Sequence, residues 1–193
     1  MSALFVAGLC VLAALSACQS DNNELPVTPS QSNSKYILPY PIGKTYTCIQ
    51  GWNGPYSHMG VFSYGVDFSM PIGSTVTAAR GGRVVYLVEH FSDTDTEAGK
   101  ENFVAVMHSD STFGRYLHLT KNGALVDIGQ IVTQGDTIAL SGSSGAGGSP
   151  SHLHFDVTKD CGERNCQTIP IFFRNTSPHP NGPVAGTAYT ARP

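Results

Sequence analysis

Apolar and polar positions alternate along much of this chain with a period of two, the spacing of a strand in which residues i and i+2 share a face. In "SPSHLHFDV", Leu153, Phe155 and Val157 alternate with His152, His154 and Asp156. One face of that strand is apolar, and the other presents two imidazoles side by side. The stretches "STVTAARGGRVVYLVE", "NFVAVMHS", "GRYLHLT" and "GQIVTQGDTIALSG" follow the same grammar. They are broken at Gly81-Gly82, at a short polar turn after His108, and at Gly135-Asp136. No amphipathic helical segment of useful length and no internal repeat intervenes. The pattern predicts a mostly β fold of short strands and turns, in keeping with 21 Gly and 12 Pro.

The strand-like pattern runs over 36–175, which suits a single domain with tails in a chain of 193 residues. Beyond it, 176–193 is rich in Pro and Gly and is expected to be mostly irregular. Before it, "QSDNNELPVTPSQSNSK" over 19–35 is polar and reads as a flexible tether. A net charge of -3 with only 13% charged residues argues against a nucleic-acid partner, which requires a basic face. The sequence sets no oligomeric state.

The first 18 residues are uncharged and apolar up to Cys18. They resemble a bacterial lipoprotein signal, because "LSAC" matches the lipobox, a small-residue cleavage site ending in the Cys that receives lipid. An ordinary secretory signal or a short membrane span is the alternative, and the usual Lys or Arg of the n-region is missing. The resemblance implies removal of 1–17 and anchoring of the chain to a membrane through Cys18. Gln19 in the next position implies the outer membrane of the cell envelope, facing the periplasm. Cysteine usage agrees with export. Cys161 and Cys166 in "CGERNC" enclose a small loop that a disulfide can staple in an oxidising compartment, in preference to a CxxxxC metal site. Cys48 is then a buried thiol.

Seven histidines are available for chemistry. His90 and His179 read as structural or surface residues, and the position of His108 before "SDS" fits a strand end as well as a site. His118, between Leu117 and Leu119 in "RYLHL", points away from its apolar neighbours. Asp67 in "YGVDFSMP" does the same between Val66 and Phe68, and a carboxylate there is costly unless it is paired or bound to metal. The His152/His154 pair is a polar surface face, a pair of metal ligands, or a ligand beside a proton carrier.

In order along the chain, "YGVDFSMPIGSTVTAARGGRVV", "NFVAVMHSDSTFGRYLHL" and "VDIGQIVTQGDTIALSGSSGAGGSPSHLHFDV" resemble the lysostaphin/LytM-type zinc metallopeptidases, which cut peptide bonds in bacterial peptidoglycan. The resemblance implies an antiparallel two-sheet β-sandwich with a groove and one zinc ion per chain. It implies that Asp67 and His154 bind zinc, with His118 and His152 as unligated catalytic histidines. The family's first ligand lies four residues before the Asp, where this chain has Ser63. His58, nine residues before Asp67, is taken as the third ligand, because similar sequences carry "SH" ahead of "YAVDF". The implied function is a zinc-dependent endopeptidase acting on peptidoglycan cross-links or stem peptides, with His152 as general base and His118 stabilising the oxyanion or protonating the leaving amine. Two rivals stand beside it: a metal-free relative that binds peptidoglycan or activates another cell-wall hydrolase, and an envelope-anchored structural protein.

Overall fold

The structure, a computed structural model, describes residues 30–147 and 150–193. The leader, Cys18 and most of the expected tether lie outside the described residues. The strands, in chain order, are β1 (Thr45–Gln50), β2 (Val66–Ser69), β3 (Thr75–Thr77), β4 (Gly82–Val88), β5 (Phe103–Met107), β6 (Thr112–Leu117), β7 (Leu119–Ala124), β8 (Ile131–Val132), β9 (Thr137–Ser141), β10 (His152–Lys159) and β11 (Ala188–Thr190). Eight of them form one sheet in the order β11-β1-β2-β10-β6-β5-β4-β8, and β3-β9-β7 form a second. Every ladder is antiparallel. Helical structure among the described residues is limited to 3-10 turns at Gln31–Asn33 and Gly60–Phe62. The fold is the mostly β one that the alternating pattern predicts, in the two antiparallel sheets that the resemblance implies.

One apolar core joins the two sheets. Val76, Leu119, Ile138 and Ala139 of the small sheet pack with Phe68, Val84, Val104, Tyr116, Leu153 and Phe155 of the large one. Each large side chain so buried contributes about 1.5–3 kcal/mol. β5 and β6 form the hairpin expected across the polar turn. The breaks at Gly81-Gly82 and Gly135-Asp136 are instead places where the chain changes sheet. β3 pairs with β9, while β4 pairs with β5 and β8. Ala78 and Ala79 are fully buried at the first crossing. There the Ala78 N–H donates to the Asp136 carbonyl and its carbonyl accepts from Gly135 N–H, so the two crossings bond to each other.

Both ends of the described chain are tied to this body. In the segment read as a tether, the Gln31 amide donates to the carbonyls of Thr176 and Ser177 and accepts from His179 N–H. In the segment read as an irregular tail, β11 adds to the edge of the large sheet beside β1. Its Tyr189 is 2% exposed and its carbonyl accepts from the buried Tyr40 hydroxyl, at 2.8 Å. Three residues suffice for this, because one large aromatic anchors them. Cys161 and Cys166 are joined in a disulfide. Cys48 is a free, fully buried thiol, which burial, followed by the nearby Asp67 charge, pushes up to about 12.

β10 lies between β2 and β6 and is buried on both faces through Thr158. The histidine-bearing face is therefore an interior face, which eliminates the polar-surface alternative for His152 and His154.

Candidate metal centre

Two paired strands position the centre of the site. Val66 and Phe68 point into the core, so Asp67 projects to the opposite face of β2. On β10, His154 is its direct cross-strand partner. On the other side of β10, His154 is paired with Leu117 of β6, and His118 follows in the step to β7. His118 holds a φ of 61°, a left-handed conformation uncommon for a side chain larger than Gly. Its ring lies 4.6 Å from that of His152 and 6.2 Å from that of His154, centroid to centroid.

His58 reaches the same point from the loop between β1 and β2. It is fully buried, and its Nδ1–H donates to the Gly51 carbonyl at 2.8 Å, which leaves the Nε2 lone pair facing inward. That Nε2 lies 3.2 Å from His154 Nδ1 and 3.3 Å from Asp67 Oδ1. Asp67 Oδ1 is 2.8 Å from His154 Nδ1. The chain can approach this closely only because residue 65 is glycine. A Cβ there would fall 2.6 Å from His154 Cε1 and 3.0 Å from His58 Nε2. Ser63, at the spacing where a His would be expected, is half-buried and donates its hydroxyl to the Gly60 carbonyl.

The donor set fits zinc. His58, Asp67 and His154 each offer one atom, all within 4.8 Å of one another. Tetrahedral nitrogen and oxygen ligands at about 2.0 Å from zinc sit about 3.3 Å apart, and the observed separations of 2.8, 3.2 and 3.3 Å are close to this. Three protein ligands leave a fourth position for chemistry.

The charges are arranged around His154. Burial pulls this imidazole down, but hydrogen bonds to Asp156 and Asp67 outweigh it and carry it up to about 9. Burial pushes the Asp67 carboxyl up, yet the hydrogen bond from His154, with the imidazoles of His58 and His152 beside it, holds it well below the usual range. Behind His154, Asp156 Oδ2 is 3.1 Å from Nε2, and Arg115 grips the same carboxylate at 2.7 and 2.6 Å. Protonated His154 donates Nε2–H to Asp156 and Nδ1–H to Asp67, and a metal at Nδ1 would take the place of the second proton. His118 and His152 both donate Nδ1–H to carbonyls, of Ser144 at 2.7 Å and Pro150 at 2.9 Å, so both present a free Nε2. Burial, then the neighbouring His152 and His154, pushes His118 down to about 3. Burial also lowers His152, against the pull of Asp67, whose Oδ1 is 3.7 Å from its Nε2.

All five residues expected at the site converge. Sequence reasoning missed those that hold them: Gln50, Gly65, Arg115, Ser144 and Asp156. Asp156 carried a signal, since it shares the face of His152 and His154. Gln50, whose amide donates to Asp67 Oδ2 at 2.9 Å, carried none.

The profile of Peptidase family M23 matches residues 61–166, which takes in Asp67, His118, His152 and His154 and stops short of His58. The chain is 37% identical over 123 residues to the peptidoglycan DD-endopeptidase ShyB of Vibrio cholerae, a match covering 61% of this chain and 26% of that protein. It is 31% identical over 149 residues to the uncharacterized lipoprotein YgeR of Escherichia coli, covering 74% and 53%. The chain thus spans about a quarter to a half of these relatives. Among solved structures, pseudoalterin, an M23 metalloprotease from the deep sea, shares the fold with a TM-score of 0.55 at 19% identity, covering 75% of this chain and 80% of that one. With more than half of its residues inside the family profile, this chain belongs to Peptidase family M23.

Proposed function

We propose that the chain is a zinc-dependent endopeptidase that hydrolyses peptide bonds in the cross-links or stem peptides of bacterial peptidoglycan. The observation that carries this is the convergence of His58, Asp67 and His154, with two free imidazole nitrogens beside them. Zinc at these ligands supplies Lewis acidity, polarising the scissile carbonyl and easing the deprotonation of water. His152 takes the proton of the attacking water at Nε2, since its Nδ1 proton is committed to Pro150. His118, likewise committed to Ser144 at Nδ1, can stabilise the oxyanion or protonate the leaving amine once the proton that His152 takes from water is passed to its Nε2, the two rings lying 4.6 Å apart. The Ser144 carbonyl steadies that charge and keeps the ring in place.

Peptidoglycan as substrate is supported by the similarity to ShyB. A lipid anchor at Cys18 in the outer membrane is supported by the lipobox and by the similarity to the lipoprotein YgeR. The metal-free alternative is less favoured because His58 Nε2 lies within 3.3 Å of Asp67 and 3.2 Å of His154, where Ser63 offers no ligand. Elemental analysis of the dialysed protein, followed by mass spectrometry of digested peptidoglycan with and without chelator, tests the proposal. About one zinc per chain and new peptide termini that vanish with chelator are expected. A folded protein that takes up no zinc, or that cleaves equally well without it, overturns it.

A further inference from the structure

The disulfide loop has no place in the chemistry above, yet three supports of the site meet on it and its flank. Arg115 is 3% exposed and Asp156 1%, a buried ion pair with bidentate geometry. Asp156 uses one oxygen on His154 Nε2 as well. The remaining arm of Arg115, Nη1, donates to the carbonyl of Glu163, inside the loop closed by Cys161 and Cys166. Just beyond the loop, the Thr168 hydroxyl accepts from Tyr64 N–H at 3.0 Å, and Thr168 N–H donates to the Val61 carbonyl at 2.8 Å. Those two residues belong to the segment that carries His58. Arg164, also in the loop, pairs with Glu101 at 2.6 Å. A Cβ on Gly145 would strike Glu101, so that pair backs the segment whose Ser144 carbonyl holds His118.

A buried guanidinium needs partners for its fork, and a buried carboxylate that steers an imidazole needs its own position held. We propose that Arg115 is a positioning residue for His154, held by the disulfide-closed loop, so that the Cys161–Cys166 loop sets how tightly the site retains its metal. This rests on the metal centre proposed above. The Arg115→Lys variant keeps the charge and loses the fork. The Cys161→Ser/Cys166→Ser variant leaves Arg115 and Asp156 intact and frees only the loop, without the chelation that a thiol reductant would introduce.

The full chain and both variants are compared by zinc competition against a chromophoric chelator and by NMR of the His154 Nε2–H in the zinc-free protein. Arg115→Lys is expected to weaken zinc binding about 10- to 100-fold, and the double Ser variant about 10-fold. In the zinc-free double variant, the His154 Nε2–H signal is expected to broaden or exchange faster with solvent. A folded double variant with the parent's zinc affinity and an unchanged signal overturns the proposal. A parent that binds no zinc sinks the metal centre instead, and the zinc-free signal still decides whether the loop holds His154.

Discussion

His58 Nε2 stands 3.2 Å from His154 Nδ1, though 96 residues separate the two in the chain. The contact completes the candidate ligand set from outside the sheet, and Ser63 takes no part. Replacing His58 with Ala should reduce bound zinc from about one per chain to a small fraction after dialysis, with peptidase activity lost in step. Ser63→Ala should change stability by no more than about 0.5 kcal/mol and leave zinc content as it was. The reverse pattern would return the first ligand to residue 63.

Gly65 is the clearance through which the two imidazoles meet. Ala at this position puts a methyl group 2.6 Å from His154 Cε1. Overpacking of this kind costs about 1–3 kcal/mol, so the variant should fold. A displacement of about 1 Å in the reacting groups costs on the order of 100-fold in rate. Turnover and thermal unfolding measured on the same preparation check this, and unimpaired turnover would refute it.

Gln50 uses its whole amide. Nε2 donates to Asp67 at 2.9 Å and to the Ser57 hydroxyl at 2.8 Å, and Oε1 accepts the N–H groups of Tyr56 and Ser57 at 3.0 and 3.3 Å. It thus fastens the Asp67 carboxylate to the loop that carries His58. Gln50→Ala should lower zinc affinity about 10- to 100-fold. Gln50→Glu, which sets an acceptor against Asp67, should do more harm than Ala. Titration against a fluorescent zinc chelator would show equal affinities if the link is inert.

His108 should govern acid stability from outside the candidate metal centre. It is 3% exposed, and its Nδ1–H donates to the Gly81 carbonyl at 2.9 Å. Burial, with Arg80 and Lys35 adding to it and Asp110 opposing, pushes it down to about 4 from 6.5. Above pH 6.5 the ring is neutral in folded and unfolded chains alike, and its contribution is complete. As the pH falls from 6.5 towards 4 the unfolded chain takes the proton first, so stability drops through that window, by on the order of 3 kcal/mol. Urea unfolding at pH 7.5 and 4.5 should show a smaller loss for His108→Asn than for the natural chain. Equal losses would remove His108 as the cause.

The strand carrying His152 and His154 could be read directly from the chain, because alternation marks a strand and polar residues on one face of it stand out. Asp67 was legible for the same reason. His58 was not readable from spacing alone, since it depends on how a loop folds back, and similar sequences supplied it. The sheet crossings at Ala78-Ala79 and at Gly135 look in the sequence like ordinary hairpin turns. Only the partners across the core distinguish them. Arg115 and Gln50 were hidden because their partners lie far along the chain, and nothing local marks a charge or amide that will be buried.

Asp67 and His154 sit opposite each other on central strands, whereas His58 hangs on a loop tied down by Gln50, Thr168 and a bond from Asn53 N–H to the Ser63 carbonyl. Two of the candidate ligands are thus held in a sheet interior and one in a loop. A metal bound here would escape when the loop opens, long before the sheet does. Its residence time should therefore follow hydrogen exchange in the segment from Asn53 to Ser63, and an organism could lengthen or shorten that time by changing the loop without disturbing the strands that carry Asp67 and His154.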